Sequence, residues 1–116
     1  MTKVNHDLLS EKYTEVHHED VFYFNAPHHF TVFDKKLNIL SIVDFQVGPI
    51  KEHGVNGVSN EDLIAMVICR LEHFNQSEYR CRENSMAITK LEEALLWLRK
   101  RTMGREKRGV EGTDIK

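Results

Sequence analysis

The sequence predicts an α+β fold: an N-terminal antiparallel β-sheet of about three strands, then an antiparallel two-helix hairpin, with the chain assembled as an oligomer. Three observations carry this. Between residues 21 and 47, β-formers come in short runs separated by turn residues. From residue 60 onward, apolar residues recur at three- and four-residue intervals in two blocks broken once. Those blocks also hold more apolar residues than two paired stripes can cover.

The elements follow in order. Residues 1–20 have mixed polarity and few turn signals, which allows a short helix or an unstructured lead. Val21, Phe22, Tyr23 and Phe24 read as a first strand, Asn25-Ala26-Pro27 as a turn and Phe30 to Phe33 as a second strand. Asp34-Lys35-Lys36 turns the chain into a third, alternating strand at Leu37, Ile39, Ser41, Val43, Phe45 and Val47. Short connections between consecutive strands make the sheet antiparallel. A loop rich in glycine follows, with Gly48, Pro49, Gly54 and Gly57. Ser59 is placed to cap the next helix, with Asp62 in the capping-box position. That helix carries Leu63, Ile64, Val67, Ile68, Leu71 and Phe74 on one stripe. After the turn "QSEYRCRE", the second helix carries Ala87, Ile88, Leu91, Ala94, Leu95 and Leu98, with an end or a kink expected near Gly104. The expected organisation is one domain, 1–116, comprising an N-terminal segment (1–20), strands (21–47), a helical hairpin (59–108) and a C-terminal tail (109–116). Ala65, Met66, Cys69, Met86, Leu96 and Trp97 flank the stripes, so a second copy is expected to cover them.

Composition narrows the function. No run of about 20 apolar residues is present to span a membrane, and the acidic start lacks the apolar core of a secretory signal. A cytoplasmic setting follows as an expectation, with Cys69 and Cys81 reduced. Net charge is −2, yet Arg99 to Arg108 hold six cations and one acid. That leaves −7 on the other residues. A local positive field on an acidic body suits a compact anion better than a long duplex, so nucleic acid is an unlikely partner. His17-His18 and His28-His29 do not converge as metal ligands, because neighbours on a strand point to opposite faces. His53, Glu52 and Asp44 have no nucleophile or phosphate loop beside them, and "GVNG" is too short to bind phosphate. No catalytic centre, metal or cofactor is expected.

The stretch "RCRENSMAITKLEEALLWLRKR" raises the sharper question. At 100° per residue, Asn84 shares the buried line of Ile88, Leu91, Leu95 and Leu98, at its N-terminal end. Two explanations stand: Asn84 caps the helix or bonds a turn carbonyl, or it contacts a ligand. Arg101 and Arg105 border the same face, one turn apart. They either complement the helix dipole in solvent or clamp a pyrophosphate through forked hydrogen bonds. Phe74, at the hairpin tip, either fills the core or stacks a base. Asn84 and Arg101 are about 25 Å apart on a straight helix, so one small ligand reaches both only if a second chain supplies part of the site.

These residues resemble a family. "CRENSMAITKLEEALLWLRKRT" followed by "REKRGVEGT" is similar to the hairpin domain of phage anti-defence sponges, the anti-CBASS and anti-Thoeris proteins. The strands ahead of it resemble the first Thoeris anti-defence family. The likeness runs over about residues 45 to 113, most specifically in "ENSMAITKLEEALLWL". It implies a viral protein acting in the host cytoplasm that binds cyclic ADP-ribose-type signals without cleaving them. Some members also take cyclic di- or trinucleotides at separate sites, and assemblies are dimers or hexamers built from dimers. By motif position the family's ligand-contacting aromatic corresponds to Phe74, its asparagine to Asn84 and its paired arginines to Arg101 and Arg105. The competing readings are a small oligomeric nucleic-acid-binding regulator using the basic helix end, an enzyme that degrades the signal, and a structural phage protein.

Overall fold

The computed structural model describes all 116 residues. It resolves into two compact units, Met1–Val58 and Ser59–Lys116. The first is a four-stranded antiparallel sheet: β1 (Thr2–Lys3), β2 (Thr14–His18), β3 (His29–Asp34) and β4 (Ile39–Asp44), neighbours in chain order. The second is the helical hairpin, α2 (Asn60–Asn75) and α3 (Arg82–Lys107). A single helical turn, α1 (Ile50–His53), lies in the stretch expected to be loop.

Two of the three expected strands are present as β3 and β4, and Asp34 makes the turn between them. Its carboxylate accepts from the backbone N–H groups of Lys36 and Asn38, both at 2.9 Å. The expected strand at Val21–Phe24 is absent, and β1 and β2 lie instead within residues 1–20. The reason is local. Phe24 and Asn25 adopt left-handed backbone, φ 54° and 74°, which turns the chain between β2 and β3. Val21 and Tyr23 then stand exposed rather than on a sheet face.

β2, "TEVHH", lacks the apolar alternation of a half-buried strand, and polar contacts support it in its place. Val16 pairs with Val32 and His18 with Phe30 on one face. On the other, the Glu15 carboxylate accepts from Lys35 Nζ at 2.8 Å and lies 3.1 Å from His17 Nε2. Lys3 Nζ is 3.8 Å away. At the end of the strand, Glu19 accepts the backbone N–H groups of His28 and His29 at 3.1 and 3.0 Å. Those bonds satisfy the start of β3.

The Glu15 cluster predicts a pH dependence. Lys35 above all, then His17, hold the Glu15 carboxyl at about 2, down from an ordinary 4.5. A depressed carboxylate stabilises the fold fully above its unfolded pKa, and that contribution fades as pH falls towards its folded value. The sheet is therefore expected to weaken between pH 4.5 and about 2. Glu15→Gln should flatten that part of the curve, as measured by urea titration followed by circular dichroism across the window. A variant curve as steep as the wild type would show that Glu15 is not the group responsible.

After β4 the chain doubles back so that Phe45 bridges Val58 in parallel. Gly57 permits this approach, because a Cβ there would overlap the Phe45 carbonyl. That packing role accounts for the second glycine of "GVNG".

The hairpin follows the expected pattern closely. Ser59 Oγ accepts from Asp62 N at 3.2 Å, and the Asp62 carboxylate accepts from Ser59 N at 2.9 Å, completing the capping box. Ile68 is the one buried apolar residue, and Ile64, Leu71, Ile88, Leu91 and Leu98 are half-buried around the seam. Val67 and Phe74, expected on the α2 stripe, are exposed instead. They lie about 100° and 120° round the helix from Ile68, at the margin of the seam. α3 passes through Gly104 without ending there and continues to Lys107. At roughly 1.5 Å per residue its 26 residues span about 39 Å.

Candidate functional site

The chemistry singled out in the sequence falls at the two ends of the hairpin unit. At the tip, α2 delivers Phe74 in its last turn, and the connection to α3 supplies Ser77 and Tyr79. With Arg70 and His73 they line a cleft of about 480 Å³. The Arg70 guanidinium sits over the Phe74 ring, 5.1 Å from its centroid. Phe74 is 40% exposed, so it is an accessible aromatic face rather than a core residue.

Asn84 is half-buried in the first turn of α3, and the capping reading does not hold for it. α3 is capped at Cys81, with no side-chain cap bond. Asn75 performs the closing role instead. Its Oδ1 accepts from Cys81 N at 3.2 Å, and its Nδ2 donates to Ser85 Oγ at 2.9 Å. The tip is thus tied without the Asn84 amide.

At the other end, Trp97, Lys100, Arg101, Gly104, Arg105, Arg108 and Lys116 surround a cleft of about 570 Å³. No acidic side chain lines it. The one acid of the basic run, Glu106, faces Arg99, with Nη1 to Oε1 at 3.2 Å. Arg101 is exposed. Arg105 is half-buried and already engaged, because its Nη2 donates to the carbonyls of Val110 and Thr113, both at 3.0 Å. Those bonds fold residues 109–116 back on the helix end, helped by the left-handed Gly109 at φ 74°. Its Nε and Nη1 donors are outside those two bonds.

Trp97 lies one helical turn before Arg101 and is 62% exposed. Lys100 Nζ sits 5.2 Å from its ring centroid. Such an exposed cation–π contact contributes only about 0.5–1 kcal/mol, whereas stacking of a base on an aromatic ring contributes about 1–3. The sequence alone reads Trp97 as spare apolar surface and Gly104 as an end or a kink of the helix. The signal that finds them is the stripe i, i+4, i+7, i+8, i+11 through residues 97, 101, 104, 105 and 108. Arg70, His73 and Tyr79 carry no comparable pattern. Arg70 and His73 look like ordinary surface positions of α2.

The fold brings Arg101 and Arg105 into one cleft, and places Phe74 in another. Asn84 lines neither. α3 is continuous between Asn84 and Arg101, so the separation of about 25 Å stands within one chain.

With this geometry in view, the relatives of the chain can be compared. A model of the Acb2/Tad1 hairpin domain matches residues 39–103. A protein of Bacillus phage SBSphiJ7, Thoeris anti-defense 1, is 51% identical to the chain in an alignment covering 100% of both.

Proposed function

The chain belongs to the Acb2/Tad1 hairpin family, and from that premise we propose that it is a phage anti-defence protein that sequesters cyclic nucleotide immune signals without degrading them. Thoeris is the defence in question, as the name of its relative from Bacillus phage SBSphiJ7 indicates. The ligand class is a cyclic ADP-ribose isomer, and cyclic di- and trinucleotides form a second class to be tested. It acts in the cytoplasm of the infected host.

The observation that carries this is the cleft at the end of α3, free of acidic side chains, where Arg101, Arg105 and Arg108 stand with Lys100 beside an exposed aromatic ring, Arg108 Nη1 donating to the Lys116 main-chain oxygen at 2.8 Å. A pyrophosphate offers the charge that such a cleft lacks, and forked guanidinium bonds suit its oxygens. Phe74 and Asn84 complete the site from a second copy of the chain, since α3 holds Asn84 about 25 Å from Arg101 and Phe74 lies at the same tip as Asn84. The exposed Met66, Val67 and Leu96 give the hairpin apolar surface for that association. The assembly is a dimer, or a hexamer built from dimers.

Sequestration needs affinity and slow release rather than turnover. A nanomolar constant corresponds to about −12 kcal/mol. Two arginines on a pyrophosphate, one stacked base and several amide bonds in a largely dry cleft reach that range.

The deciding experiment is calorimetry of the purified chain against cyclic ADP-ribose isomers and cyclic di- and trinucleotides, with light scattering for assembly. Heating the complex and recovering intact ligand is the expected result. Recovery of cleaved ligand would identify an enzyme instead. The salt dependence of binding should be shallow, with a slope set by one pyrophosphate. A steep slope would belong to an extended nucleic-acid footprint and to the basic-tail regulator reading.

A further inference from the structure

We propose that the cationic cleft carries its own base-stacking platform: Trp97 receives the planar base of a purine nucleotide whose phosphates lie towards Arg101 and Arg105. The inference rests on the nucleotide-sequestering function above and extends it, because it adds a contact that Phe74 of a second chain does not supply.

Four observations support it. Trp97 is 62% exposed in a cleft whose other lining side chains are cationic. A large aromatic ring placed there is left without an apolar neighbour in the cleft. Arg101 follows it by one turn on the same stripe, so a ring on Trp97 and a phosphate on Arg101 are spaced about 6 Å along the axis. Gly104 then interrupts the helix surface between Trp97 and Arg108. It lies in the interior of a 26-residue helix, and a Cβ there would meet nothing within 4 Å. Neither packing nor backbone conformation asks for glycine at this point. Gly104 lines the cleft, and its missing side chain leaves that stretch of the helix surface uncovered. Finally, Lys100 lies over Trp97 by the weaker kind of contact. A stacking base displaces it, and its flexible stem lets the ammonium turn to the phosphate.

The chain has a single tryptophan, so its emission reports this one position. The full-length protein is titrated with ADP and with inorganic pyrophosphate, by fluorescence and by calorimetry in parallel. ADP should quench Trp97 saturably. Pyrophosphate should compete with ADP yet leave the emission much less changed. Trp97→Ala should weaken ADP about tenfold while leaving pyrophosphate affinity within about twofold, and Trp97→Phe should recover most of the loss. Gly104→Leu should put a side chain into the cleft and weaken ADP by a similar factor without lowering the melting temperature. ADP affinity unchanged in Trp97→Ala overturns the platform and leaves the sequestering function standing. The same holds if ADP and pyrophosphate lose affinity equally, since Trp97 would then act through assembly. If the wild type binds neither ADP nor cyclic ADP-ribose, both the platform and the function it rests on fail.

Discussion

Arg101→Glu is expected to lower affinity for cyclic ADP-ribose isomers by about 100-fold or more, with the melting temperature almost unchanged. The size follows from the chemistry. A charge-assisted hydrogen bond contributes about 1.5–3 kcal/mol, and the reversed charge adds repulsion of the same pyrophosphate. About 2.7 kcal/mol is a factor of 100. The stability expectation follows from exposure: Arg101 is on the surface, and such substitutions usually stay within about 0.5 kcal/mol. Arg105→Glu should abolish binding as well, but it is the less clean test. Its Nη2 ties down Val110 and Thr113, so the variant releases the tail along with the clamp. Arg101→Lys keeps the charge and loses the fork, and should fall between wild type and Arg101→Glu. Calorimetry and a thermal melt on each variant decide the matter. An Arg101→Glu chain that binds within about tenfold of wild type would show that the pyrophosphate lies elsewhere.

The same contrast between Arg101 and Arg105 shows what a sequence can and cannot disclose. Helical period placed both on one face, because that depends only on spacing. The bonds from Arg105 to Val110 and Thr113 depend on how the tail folds after Gly109, which no periodicity encodes. The hairpin was legible for a similar reason. Ser59 and Asp62 form a local signature, and the α2 and α3 stripes repeat over many turns. β2 was not legible, since its strand pairing is supported by Glu15 reaching Lys35, twenty residues away. Val21–Phe24 misleads in the opposite direction. Its composition favours a strand, but the left-handed pair at Phe24 and Asn25 turns the chain there. At the tip, Asn84 was identified by its place on an apolar line, and its sequence neighbourhood could not show that Asn75 already closes the helix start. The Asn84 side chain therefore plays no part in closing the tip.

Ile68→Ala is expected to be the most damaging single truncation in the hairpin. Removing a buried aliphatic side chain costs about 2–5 kcal/mol, a large part of the 5–15 kcal/mol that small domains possess. Ile68 is the one buried apolar residue of the chain, so few neighbours can close over the cavity. The seam is thin because Val67 and Leu96 face outward, and this links stability to association. If a second copy covers those residues, the melting temperature of the wild type rises with protein concentration, and that of Ile68→Ala rises too. Ile68 lines neither cleft. Its loss should therefore lower the folded fraction while the folded, associated protein keeps wild-type affinity. A saturating nucleotide at about 100 times its dissociation constant would restore about 2.7 kcal/mol by mass action. Melts at two protein concentrations, with and without cyclic ADP-ribose, separate these effects. A melting temperature independent of concentration in both proteins would mean that a single hairpin stands alone. Asn84 and Arg101, about 25 Å apart on one helix, could not then share a ligand.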